Sequence, residues 1–177
     1  MKIYTKKGDK GNTILSNNVK ISKSDKLIEF YGTIDELIAN IGLIYSEKTK
    51  KEYFNICRII QSKLMNCITS LVESNNLKDS NIEHKLKIIK EKDIKYLEEQ
   101  IDLLDKDLEP LKDFILFEGK ISSIFNVLRT ITRRAERKIV EIYNNISYKN
   151  NENILIIMKY LNRLSDLFFI LSRHSNE

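Results

Sequence analysis

The sequence predicts an all-α fold, a five-helix bundle with an ordered N-terminal loop, and three observations carry that prediction. Glycine and proline are scarce, at 5 and 1 copies in 177 residues, so few positions interrupt a helix. Apolar residues recur at spacings of three and four through most of the chain, the period of one face of an α-helix. No run alternates apolar and polar residues long enough to build a sheet, which leaves helix-on-helix packing to form the core. At this length one domain is expected over residues 1–177, with 1–26 as the loop and 27–177 as the bundle.

Residues 2–26, KIYTKKGDKGNTILSNNVKISKSDK, mix β-branched residues with Gly, Asn, Ser and Asp, and read as an ordered loop or short extended arm. Helix one is predicted from about Tyr31 to Lys48 on Ile34, Leu37, Ile38, Ile41 and Ile44 or Tyr45. Thr33 and Glu36 stand as a capping box at its start. Helix two follows Tyr53, Cys57, Ile60, Leu64, Cys67, Ile68 and Leu71 and stops in the polar run ESNNLKDSN. Beyond a Lys-rich stretch containing His84, Ile94, Leu97, Ile101 and Leu104 form the narrow packing seam of helix three. Pro110 and Gly119 then break the pattern in DLEPLKDFILFEGK, which carries the apolar knot Phe114, Ile115, Leu116 and Phe117. Helix four buries Ile121, Ile124, Phe125, Leu128, Ile131, Ala135, Ile139 and Ile142, and the polar stretch 144–153 ends it. The last helix uses Ile154, Ile157, Met158, Leu161, Leu164, Phe168 and Leu171, with Asn162, Asp166 and Arg173 on its polar flank.

Composition removes several function classes. The net charge of +5 is modest and Lys alternates with Glu, so a solvated surface is expected and nucleic acid is not a partner. Cys57 and Cys67 sit ten apart in an apolar stretch, neither a zinc spacing nor a disulfide framework, and read as reduced core thiols. The N-terminus has no apolar leader and no run has membrane-spanning length, so a soluble cytoplasmic protein without a membrane partner is expected. His84 and His174 lack ligand spacing, so no protein metal site is assigned. Neither an HExxH motif, a Ser/His/Asp arrangement nor a P-loop is present.

What remains is a charged stripe. Arg129, Arg133, Glu136 and Arg137 fall at i, i+4, i+7 and i+8 of RTITRRAERKIVEIY and share one side of a helix. Guanidinium forks suit phosphate oxygens, and three along one edge repel unless carboxylates or a polyanion answer them. The competing reading is a solvated face with Glu–Arg pairs, worth little stability each. In GDKGNT, Gly8 and Gly11 let backbone N–H groups approach an anion, while Thr5, Lys6, Lys7, Lys10 and Thr13 add donors; a basic tail is the other reading. Asp35 and Glu36, placed in the first turn of helix one, either cap it or neutralise Arg129 or Arg133. Asn162 needs a partner if buried, which a ligand or an interhelical hydrogen bond supplies. Phe114 is core by default.

Taken in order, YTKKGDKGNT, YGTIDEL, FIL, RTITRRAER and LNRLSDLFF resemble the motif series of the PduO-type ATP:cob(I)alamin adenosyltransferases over almost the whole chain. The resemblance implies a cobalamin adenosyltransferase-like five-helix bundle, assembled as a homotrimer with ATP and the corrinoid meeting at each subunit interface. It implies transfer of the 5′-deoxyadenosyl group of ATP, with Mg²⁺, to the cobalt of cob(I)alamin or cob(I)yrinic acid a,c-diamide, releasing triphosphate. A corrinoid reductase and an adenosylcobalamin-dependent client enzyme are the implied protein partners. The alternative is a non-catalytic trimer that binds ATP and corrinoid and carries cofactor to a client.

By the same resemblance, residues 1–26 are the nucleotide-binding loop. ATP-binding roles fall on Thr5, Lys6, Lys7, Gly8, Thr13, Lys23, Arg133, Arg134, Glu136, Arg137 and Asn162. Asp35 and Arg129 carry an intersubunit ion pair, and Phe114 crowds the lower face of the corrin and helps remove its axial base. Asp35, Phe114, Arg129 and Arg133 form the catalytic set. The chain departs from the family pattern in two places: FILFEGK stands for FILPGG, one residue shorter between Phe114 and Arg129, and Ser16, Asn17 and Asn18 replace paired glycines.

Overall fold

Asp25 starts the first helix: its carboxylate accepts the Leu27 backbone N–H at 2.8 Å, satisfying one of the orphan donors of the first turn. In this computed structural model, which describes residues 4, 6, 8–15, 19–74, 88–145 and 151–176, α1 runs Lys26–Tyr45, α2 Lys51–Ser74, α3 Glu91–Asp105, α4 Lys120–Tyr143 and α5 Glu152–His174. All five helices fall where the apolar periods put them. The start of α1 is corrected, however: Leu27 and Phe30 are buried and carry the apolar face a turn earlier than Tyr31. Thr33 and Glu36 therefore form no capping box. Thr33 lies inside the helix with its hydroxyl donating to the Glu29 carbonyl at 2.8 Å, and Asp35 and Glu36 lie beyond the first turn.

The N-terminal arm contains a small sheet that the sequence did not announce. β1, Asn12–Ile14, pairs antiparallel with β2, Lys20–Ser22, and Thr13 stands opposite Ile21. Three residues per strand are too few to show an alternation. Leu15 and Ile21 pack against the helical core, which ties the hairpin down. The Ser16–Asn18 substitution and the Lys-rich stretch with His84 lie outside the described residues.

α4 is the central helix, packed between α1 and α5, and α5 also rests on α3 and α2. Ile34, Leu37 and Ile41 of α1, Phe125, Leu128, Ala135 and Ile139 of α4, and Leu161, Leu164 and Phe168 of α5 are fully buried. Tyr53 of α2 meets Phe125 edge-on at 5.4 Å, and its hydroxyl lies 2.7 Å from His174 Nδ1. Asp93 opens α3 by accepting the Lys90 N–H at 2.9 Å and pairs with Lys63 at 2.7 Å. Cys57 and Cys67 are free and buried. Among the described residues no helix is long and apolar enough to cross a membrane.

Two features position the site. α1 runs antiparallel to α4 along ion pairs between Lys26 and Glu141, Glu29 and Lys138, and Glu36 and Arg134. The α3–α4 connection is pinned at both ends: Arg173 donates to the Glu109 carbonyl, and Asn176 Oδ1 accepts the Glu118 N–H at 3.2 Å and the Ser122 hydroxyl at 3.0 Å. Between those pins the expected apolar knot is not packed as core. Phe114 is 100% exposed and Leu116 81%, while Ile115 and Phe117 turn partly inward.

Candidate functional site

The arginine row on α4 divides by face. Arg134 turns to α1 and is held by Glu36, the carboxylate read from the sequence either as a cap or as a partner of Arg129 or Arg133. Arg129 is half-buried and donates through Nε to Asn126 Oδ1 at 2.9 Å. Glu136 turns to α5, where Asn162 Nδ2 donates to its Oε1 at 2.9 Å. Arg133 and Arg137 are exposed and bond to none of the described residues of the protomer. The carboxylates nearest in sequence are thus committed elsewhere, and toward the described residues two guanidinium forks stand open on one helix edge.

A magnitude decides what this means. Two unit charges about 6 Å apart repel by roughly 0.7 kcal/mol in water, which the fold tolerates easily. The row is stable without a ligand. Its case as a phosphate site rests on the free forks, whose attraction for a polyanion grows as water is excluded.

Arg129 also lines a cleft of about 630 Å³ with Phe114, Ile115, Phe117 and Phe169. Phe117 meets Phe169 edge-on at 6.3 Å and backs the wall, so Phe114 projects free at the front. A largely apolar slot large enough for a planar ligand therefore adjoins the arginine row, with Arg129 common to both. A larger concavity, about 860 Å³, lies by Tyr45, Lys50, Tyr53 and His174, but its walls hold none of the predicted site residues.

At the N-terminus, Gly8 and Lys23 are brought into contact: a Cβ on Gly8 would lie 2.9 Å from Lys23 Nζ. The Lys23 N–H donates to the Gly11 carbonyl at 2.8 Å, and Gly11 holds φ at 75°, a region open to glycine. Lys6 is exposed with φ at 59°, and Thr13 is half-buried in β1. Thr5 and Lys7 lie outside the described residues. β2 borders the start of α1 and the end of α4, where Ile21, Asp25 and Ile142 line a cleft of about 510 Å³.

Asp35 is not brought to Arg129. It is exposed and bonds to none of the described residues of its own chain. Among the described residues no three His, Cys, Asp or Glu side chains cluster to hold a metal ion. Sequence reasoning passed over Arg163, Glu98 and Phe169. Arg163 binds Glu98 of α3 through Nε at 2.9 Å and Asn162 Oδ1 through Nη1 at 3.1 Å. Hydrogen bonding to Glu98 holds this guanidinium above its ordinary pKa. No local spacing signals a contact between residues 65 apart.

Comparison with known proteins gives one consistent result. The family profile described as Cobalamin adenosyltransferase matches residues 3–175. The chain is 39% identical over 181 residues to the corrinoid adenosyltransferase of Bacillus subtilis, covering 99% of this chain and 87% of the relative. It is 32% identical over 174 residues to the corrinoid adenosyltransferase PduO of Salmonella typhimurium, and there it spans about half, 49%, of the relative's length. A variant PduO-type ATP:corrinoid adenosyltransferase from Lactobacillus reuteri, complexed with cobalamin and ATP, superposes with a TM-score of 0.84 at 33% identity, covering 99% of this chain and 91% of that one.

Proposed function

The chain belongs to the cobalamin adenosyltransferase family, and we infer that it transfers the 5′-deoxyadenosyl group of ATP to the cobalt of a reduced corrinoid and releases triphosphate. The observation that carries this reading onto the protein's own residues is the pair of guanidiniums bonded to none of the described residues, Arg133 one turn and Arg137 two turns from Arg129 and its largely apolar cleft.

In the reaction, the electron pair of Co(I) forms the Co–C5′ bond while the C5′–O bond breaks, and its electrons leave with the triphosphate. No proton moves at the reacting carbon, so no general base is required. The protein's tasks are alignment of two large substrates and stabilisation of charge on the leaving group. Arg133 and Arg137 serve the second task as the triphosphate departs. Lys6, Gly8, Thr13 and Lys23 of the loop spanning 1–26 bind the nucleotide with backbone and ammonium donors, together with Thr5 and Lys7. Glu136 and Asn162 complete its pocket on the α5 side. Phe114, unsupported by the core, packs against the lower face of the corrin; keeping an axial base away makes the cobalt easier to reduce.

Mg²⁺ enters with the nucleotide. Phosphate oxygens and water can supply most of its shell, and no protein ligand is assigned to it. The active assembly is a homotrimer. Its support here is Asp35, exposed and bonded to none of the described residues of its own chain, whose partner is Arg129 of a neighbouring copy. The two free buried thiols suit a reducing compartment, and the cytoplasm is the proposed location. A corrinoid reductase supplies the reduced substrate, and an adenosylcobalamin-dependent enzyme receives the product.

The test is to incubate the protein with ATP, Mg²⁺ and chemically reduced cob(I)alamin and follow cobalt–carbon bond formation spectroscopically. Adenosylcobalamin and triphosphate are expected in equal amounts, with Arg133→Ala lowering kcat/KM for ATP by about 100-fold or more. Saturable binding of ATP and corrinoid without product would overturn the enzymatic reading and leave a carrier.

A further inference from the structure

Asn162 has two amide hydrogens and two carbonyl lone pairs to place, and the fold has committed one of each. Its Nδ2 donates to Glu136 Oε1 at 2.9 Å, and its Oδ1 accepts from Arg163 Nη1 at 3.1 Å. The opposite amide orientation would set N–H₂ against a guanidinium and a carbonyl oxygen against a carboxylate, two repulsive contacts in place of two attractive ones. Glu136 and Arg163 therefore fix the orientation jointly, and Arg163 holds the carbonyl end. Arg163 is fixed in turn by Glu98 of α3, which accepts from Nε at 2.9 Å, and by Asp166, one turn on, at 3.4 Å from Nη1.

We propose that Glu98 and Arg163 are positioning residues that hold the Asn162 amide so that its one uncommitted N–H faces the nucleotide. This rests on the function given above. It adds a consequence: the group that this N–H meets on ATP is an acceptor, a phosphate or ribose oxygen or a ring nitrogen. It also brings α3 into nucleotide binding, although α3 carries none of the predicted site residues.

The experiment compares two ion pairs that join the same helices. Glu98–Arg163 connects to Asn162; Glu91–Lys159, at 3.0 Å, joins α3 to α5 one turn earlier on α5 and two turns earlier on α3, with no hydrogen bond to that amide among the described residues. Both are partly exposed, so losing either costs the fold little. Glu98→Gln should raise the KM for ATP about fivefold, with kcat and the KM for corrinoid within about twofold, while Glu91→Gln leaves all three unchanged. In an Asn162→Ala background, Glu98→Gln should add nothing further. An equal effect of both Glu variants, or a full Glu98→Gln effect without the Asn162 amide, reduces the pair to a structural tie and overturns the proposal. Absence of adenosyl transfer in the unmodified protein is a separate result that removes the function, so the two failures are distinguishable.

Discussion

Phe114 is 100% exposed in the protomer, and its ring therefore supports no core packing that truncation would remove. Phe114→Ala should leave the melting temperature within about 1 °C while lowering adenosyl transfer by about tenfold or more. A large loss of stability with unchanged transfer would return this residue to a structural role. Gly8 makes a complementary case. A methyl group there displaces the end of Lys23, a flexible side chain, so Gly8→Ala costs little stability and moves an ammonium out of place. The KM for ATP should rise about threefold to tenfold, with the protein as stable as before. These residues also show what sequence reveals about a site. The arginine row was legible because one helix carries it and helical spacing fixes its direction. Residue type alone misleads at Phe114, since the general tendency of phenylalanine is burial; the family resemblance set it against the corrin, and the pinned loop leaves its ring exposed. Arg163 and Glu98 gave no local signal, because their meaning arises when α3 packs on α5.

At the scale of the element, α1 shows why a motif can match and still be wrong. Thr33 and Glu36 have the spacing of a capping box, yet Leu27 and Phe30 extend the buried stripe back to Asp25, and burial of two large side chains outweighs a cap of about 1 kcal/mol. Asp25→Ala should cost about 1 kcal/mol in denaturant unfolding, and Asp25→Asn far less, because asparagine also caps. The other helices were legible because their apolar periods run long, whereas strands of three residues leave no period to read. α2 carries a pH dependence of its own. Burial pushes the Cys57 thiol from 9.0 up to about 12 and Cys67 higher still. The folded state thus keeps protons that the unfolded chain releases above about pH 8.5. Stability from these thiols is intact below that pH and falls as pH climbs toward the folded values. Thermal melts should be insensitive to them near pH 7 and decline above about pH 9, with a shallower decline in the Cys57→Ala/Cys67→Ala variant.

At the scale of the whole molecule, the proposed trimer turns on charges that find no partner among the described residues of one protomer. Along α1 and α4 most facing charges are answered within the chain, since Lys26, Glu29 and Glu36 each find a partner on α4. Asp35, between them in sequence, finds none among the described residues, and among these Arg129 hydrogen-bonds Asn126 and lines its cleft. If Asp35 of one copy meets Arg129 of the next around a ring, each interface is heterologous and takes one residue from each side. Complementation decides this. Asp35→Asn and Arg129→Ala homotrimers should both be impaired, because every interface lacks one partner. In trimers co-expressed from equal amounts of the two chains, an interface is intact when an Arg129→Ala copy supplies Asp35 and an Asp35→Asn copy supplies Arg129. Random assembly makes that about one quarter of interfaces. Activity should recover toward about a quarter of the unmodified value, and a chain carrying both substitutions should rescue neither variant beyond the dilution expected of an inactive subunit. Were the pair to act within one chain, mixing would restore nothing. The recovered fraction thus tests the division of the site between copies, which no property of an isolated protomer reports.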